Sequence, residues 1–164
     1  MKSKYYRDKY KQGKRYEDFA SDKLYEWGLP MKTYSSYEYQ LCKGESRARI
    51  EIKNDDIYKT SNNLYFETHE KKGDEWVESG ILRKDNTVFY FIGDYDRAWL
   101  FSKKQLFSLI NNNNFEEKLA HDDQGNVTGK GVVIPIEYFN KRPNVVIQEF
   151  NFIDQNINHI PCID

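Results

Sequence analysis

The sequence predicts an α+β domain: an N-terminal helix, then an antiparallel β-meander with flanking helices and a mixed central sheet. Three observations carry this. Phe19, Ala20, Leu24 and Trp27 recur at helical spacing before Gly28 and Pro30 end the pattern. Three runs of strand character follow at 33–41, 47–55 and 64–71, separated by short polar turns, which implies consecutive antiparallel strands. Two apolar runs, TVFYFIG and RAWLF, then flank Asp94-Tyr95-Asp96 as a second hairpin.

Each element has a local cause. The helix is expected over 14–28. Residues 74–86 read as a connector with room for one or two helical turns, marked by Ser79-Gly80 and closed by Asp85-Asn86. Ser102 suits an N-cap for a helix through Leu106, Phe107 and Ile110, which the asparagines at 111–114 stop. Residues 121–130 read as a loop or loose hairpin, and 132–136 and 145–152 as late strands whose pairing Pro135 and Pro143 limit. The expected organisation is a basic N-terminal arm (1–13) and one domain (14–164), with a core at about 14–110 and a C-terminal extension at about 111–164.

Composition narrows the class. The 164 residues are 38% hydrophobic and 16% aromatic, enough to bury a ring-rich core. No stretch approaches the roughly 20 apolar residues of a membrane helix, and no apolar segment follows the basic start, so neither export nor membrane insertion is expected. Cys42 and Cys162 form no CxxC or Cys/His cluster, which fits a reducing, cytoplasmic setting. The net charge of −1 hides a basic start, where Lys9, Lys11, Lys14 and Arg15 lie among tyrosines. Such a segment either meets nucleic-acid phosphates and bases or is a solvated terminus.

In RARIEIKND, strand parity places Arg47, Arg49, Glu51, Lys53 and Asp55 on one face, and in LYFETHEK it groups Tyr65, Glu67, His69 and Lys71. A hairpin closing over 58–63 would set Asp55 opposite Glu67 and Lys53 opposite His69, about 5 Å apart at Cβ. Two crowded carboxylates suit Mg²⁺ or Mn²⁺, and a neighbouring lysine can orient the attacking water. Neutralising either acid is then expected to leave stability equal or higher. The same alternation equally describes a solvated sheet face laced with ion pairs. Arg83 and Lys84, on the connector, stand where a flanking phosphate could be bound.

The stretch GESRARIEIKNDDIYKTSNNLYFETHEK, followed by ESGILRKDNTVFYFIGDYDRAWLFSKKQL, resembles nuclease-like proteins of the PD-(D/E)XK superfamily found in phage and mobile elements. Lys53, Asp55, Thr60, Asn62 or Asn63, Glu67 and Ser79-Gly80-Ile81 stand at the corresponding places, and the resemblance covers roughly residues 14 to 110. It implies a restriction-endonuclease-like core, on the border of the α+β and α/β classes, and a Mg²⁺-dependent endonuclease hydrolysing DNA. Asp55 and Glu67 would hold the metal, with Glu17 reaching it from the helix, or else meeting water at the helix edge. The usual lysine two residues after Glu67 is replaced by His69, so that role would fall to Lys53 or Lys71, or be modified by His69 itself. A second alignment takes Glu51-Ile52-Lys53 as the (D/E)xK and Glu45 as the first acid. A catalytically inactive DNA-binding or protein-interaction module is the alternative reading, and a homodimer is left open.

Overall fold

The computed structural model describes residues 4–29, 31, 46, 48–142 and 144–153. Helix α1 (Lys4–Glu26) leads. Tyr16, Ala20 and Leu24, four residues apart, are each 0% exposed and form its buried stripe. Gly28, at φ +92°, lets the chain leave the helix. Residues 4–13, expected as an arm, are part of this helix, and residues 7–11 are exposed on it.

Strand β1 (Ile50–Asn54) follows, then the single turn α2 (Tyr58–Ser61), β2 (Asn63–Lys72) and β3 (Glu75–Glu78). A 3-10 turn at Gly80–Leu82 precedes the hairpin of β4 (Phe89–Gly93) and β5 (Arg97–Ser102). Helix α3 (Lys103–Asn111) starts at Ser102, whose hydroxyl accepts the Gln105 N–H as expected of an N-cap. The chain ends in β6 (Glu116–His121), β7 (Val127–Pro135), α4 (Ile136–Asn140) and β8 (Val146–Asn151). The strand expected at 33–41 lies outside the described residues.

The strands make two four-stranded sheets, ordered β1-β4-β5-β8 and β3-β2-β7-β6. The first is mixed, because β1 runs parallel to β4 while β4–β5 and β5–β8 are antiparallel. The second is antiparallel throughout. The α+β class therefore holds, but the expected hairpin of β1 with β2 does not form. The two strands belong to different sheets. The cause is visible in the link: Tyr58 is buried, packs edge-on to Trp99 and donates its hydroxyl to Asp94 at 2.8 Å, so α2 docks on the first sheet. Asn62, in the left-handed region at φ 55°, then turns the chain toward β7.

Period-two alternation divides the first sheet between two cores. Phe91, Ala98 and Leu100 join Ile50 and Ile52 beneath α1. Tyr90, Ile92, Trp99 and Phe101 face the other way, onto Leu64 and Phe66 of β2, Ile134 of β7 and helices α3 and α4. A sheet covered on both faces explains the nearly continuous apolar runs FYFIG and RAWLF. Each fully buried large side chain here contributes roughly 1.5–3 kcal/mol. Residues 116–151, expected as an extension, supply β6, β7 and β8 and so complete both sheets. No helix of the described residues is long and apolar enough to cross a membrane.

Candidate active site

Strand β1 begins abruptly. Arg49 sits at φ 61°, its carbonyl accepts the amides of Val88 and Phe89, and regular strand parity starts only at Ile50. From there Ile50 and Ile52 turn into the core beneath α1, and Glu51 takes the opposite face. That face is covered. Glu51 is 0% exposed, so the expected solvated row of charges is not what surrounds it.

Three donors meet one oxygen of Glu51. Lys53 Nζ lies 2.9 Å from Oε1, Arg83 donates to it at 3.0 Å, and the Tyr90 hydroxyl donates at 3.3 Å. The other oxygen, Oε2, is buried without a hydrogen-bond partner among the described residues. A buried carboxylate oxygen with no partner is costly in an apolar setting, and cations or metal ions are the usual compensation. Lys53 keeps 38% of its side chain exposed, so the cluster meets solvent on that side.

A second layer holds Arg83. Lys103, 8% exposed, donates to the Arg83 carbonyl at 2.8 Å and to Asp85 Oδ1 at 2.9 Å, and Asp85 Oδ2 stands 3.4 Å from Arg83 Nε. Burial pushes the Asp85 carboxyl up, but Lys103 and the Thr87 amide outweigh it and hold the group below its ordinary value. The sequence placed Asp85 only at the end of the connector and Tyr90 in the second hairpin, and carried no signal for Lys103. A lysine that opens a helix and a tyrosine in an apolar strand look like surface and core until the tertiary contacts are formed.

Asp55 and Glu67 have other duties. Asp55, 9% exposed, accepts the Ile57 N–H and the Tyr65 N–H, each at 3.1 Å. Burial raises its pKa, partly offset by these amides. It therefore meets β2 edge-on through the backbone instead of standing opposite Glu67. Glu67 Oε1 accepts the Ser79 hydroxyl at 2.5 Å. Gly80 passes so close beneath that a Cβ there would strike the Glu67 carbonyl oxygen, which is why Ser79-Gly80 stands where it does. Beside Glu67, the buried Tyr65 hydroxyl has no partner among the described residues; burial, then the charges of Glu67 and Glu117, push it up to about 12.

Glu17 pairs with Lys14 at 2.6 Å on α1. His69 Nδ1 lies 3.0 Å from the Thr68 hydroxyl, and Lys71 Nζ sits 5.9 Å from the Trp76 ring centre. Among the described residues no three His, Cys, Asp or Glu side chains group as a metal site, so Glu17, Asp55 and Glu67 are not brought together. Glu45 lies outside the described residues. Lys9, Lys11 and Arg15 are exposed along α1. Lys84 is exposed beside Glu78 at 3.4 Å. The chain matches no family model, no curated protein and no solved structure.

Proposed function

We propose that the chain is a metal-dependent endonuclease of the PD-(D/E)XK kind, acting on DNA, with Glu51-Ile52-Lys53 as its (D/E)xK. The observation that carries this reading is Glu51 itself: fully buried, with one oxygen held by Lys53, Arg83 and Tyr90 and the other without a partner among the described residues. Mg²⁺ commonly takes one or two carboxylates and completes its shell with water and substrate phosphate, so a single fixed carboxylate oxygen suits it. Such an ion supplies charge neutralisation at the phosphodiester and a more acidic bound water.

The chain's own residues do the rest. Arg83 and Tyr90 fix the orientation of the Glu51 carboxylate. Lys53, on the same strand face and reaching solvent, sets a positive charge where negative charge develops on the phosphate. Asp55 and Glu67, engaged by backbone amides and by Ser79, leave the metal set in this proposal. The test is nicking of supercoiled plasmid with Mg²⁺, with Mn²⁺ and with a chelator. Metal-dependent nicking that falls on the order of a hundredfold in Lys53→Ala supports it. Equal nicking by Lys53→Ala and wild type refutes the role of Lys53.

The second reading, a nuclease-fold module that binds DNA without cutting it, is favoured by Lys53 and Arg83, whose positive charges already pair with the Glu51 carboxylate. It expects DNA binding that is indifferent to divalent metal, with no cleavage.

A further inference from the structure

We infer that a cationic groove beside the Glu51 cluster seats a single DNA strand, with Lys84 and Lys104 taking phosphates and Phe107 stacking on a base. This rests on the nuclease reading above and names how its substrate is held. The groove has a volume of about 560 Å³ and lies between the 3-10 turn and α3, lined among others by Glu78, Arg83, Lys84, Lys103, Lys104 and Phe107. Of its ten lining residues four are cations, one is a carboxylate and four are apolar.

The charges are not equivalent. Lys103 is turned inward to Asp85, so its charge is matched within the fold. Lys84 has 89% of its side chain exposed and pairs with a half-exposed Glu78 at 3.4 Å, an ion pair worth little in water and replaceable by phosphate. Lys104 is exposed on the first turn of α3, and Phe107 follows three residues later on the same helix face. Leu106, Leu109 and Ile110 pack the core from this helix, while Phe107 stays 42% exposed. An exposed ring beside exposed cations is the chemistry that holds single strands, since rings stack on base faces and cations track the backbone. A duplex hides those base faces. Arg83 joins the groove to the cluster, because it lines the one while its guanidinium lies 3.0 Å from Glu51.

The experiment is fluorescence anisotropy of the whole chain with a labelled single-stranded DNA oligonucleotide and with its duplex, in chelator so that no cutting intervenes. Wild type is expected to prefer the single strand. Lys84→Ala/Lys104→Ala should weaken binding at least tenfold and reduce the slope of log affinity against log salt by about 1.4, from about 0.7 per lost contact on a single strand. Phe107→Ala should weaken single-strand binding by about tenfold. Lys118→Ala on β6, away from the groove, should bind as wild type does. Wild-type affinity in both groove variants overturns the proposal, as does equal competition by a poly-glutamate peptide of matched charge. The two readings fail separately. A chain that cuts DNA while its groove variants bind normally loses the groove alone; groove-dependent binding with undiminished cutting by Glu51→Gln keeps the groove and loses the catalytic assignment.

Discussion

Asp55 Oδ2 accepts the backbone N–H of Tyr65 at 3.1 Å, and that bond ties the end of an edge strand in one sheet to a strand of the other. Asp55→Ala strands the Tyr65 amide at a partly buried position and should cost about 1–3 kcal/mol in denaturant unfolding. This reverses the expectation drawn from crowding with Glu67. Because burial raises the Asp55 pKa above 3.8, the folded chain holds its proton longer than the unfolded chain does. Its contribution to stability is greatest in acid and declines as pH rises from 3.8 through the folded value. The Asp55→Ala penalty should therefore be larger below that window than above it.

Asp94 works in the opposite sense. Burial raises it, but its pairing with Lys59, the amides of Asp96 and Arg97 and the Tyr58 hydroxyl together hold it below 3.8. A depressed carboxyl stabilises the fold above its unfolded value and loses that contribution as pH falls through the folded one. Urea unfolding between about pH 5 and about pH 2 should show wild type losing stability more steeply than Asp94→Asn. Parallel curves would remove Asp94 from the acid response.

Much of this was legible in the sequence, and the part that was not follows from tertiary pairing. Helical spacing named Ala20 and Leu24 directly but not Tyr16, the Ser102 cap was read directly, and the β4–β5 hairpin formed around Asp94-Tyr95-Asp96. The expected β1–β2 hairpin failed because sequence nearness favours local pairing, whereas β1 finds β4 in parallel across 34 intervening residues and β2 finds β7. A parallel partner leaves no turn signature. Glu51 was among the candidates, yet its burial could not be read from alternation alone, since a charged strand residue looks the same whether water or Arg83 faces it.

At Gly80 and Gly131 a methyl group should do clear harm. A Cβ at Gly80, whose φ is +51°, would strike the Glu67 carbonyl oxygen, and one at Gly131 would strike the Phe66 carbonyl oxygen and the Tyr65 ring. Alanine at either should cost roughly 2–4 kcal/mol, from overpacking and, at Gly80, backbone strain. Gly125, at φ +82° but with nothing near its Cβ position, should cost less when changed to alanine. Equal midpoints for all three in guanidinium would contradict the close contacts described.

The N-terminal turns of α1 should be dispensable for folding. Residues 7–11 are exposed and the buried stripe begins at Tyr16, so deleting residues 1–10 removes no described core side chain. The melting temperature should change by no more than a few degrees, while loss of Lys9 and neighbouring charges should weaken DNA binding and lower its salt dependence. Loss of the cooperative melt would show that these turns carry the fold.

For Glu51 as the proposed metal-holding carboxylate, the most direct measurement compares metal-dependent plasmid nicking by wild type, Glu51→Gln and Glu67→Gln, each verified as folded by its melt. The prediction is nicking by wild type with Mg²⁺ or Mn²⁺, none by Glu51→Gln, and retained nicking by Glu67→Gln. Wild-type nicking by Glu51→Gln, with activity lost instead in Glu67→Gln, would contradict it.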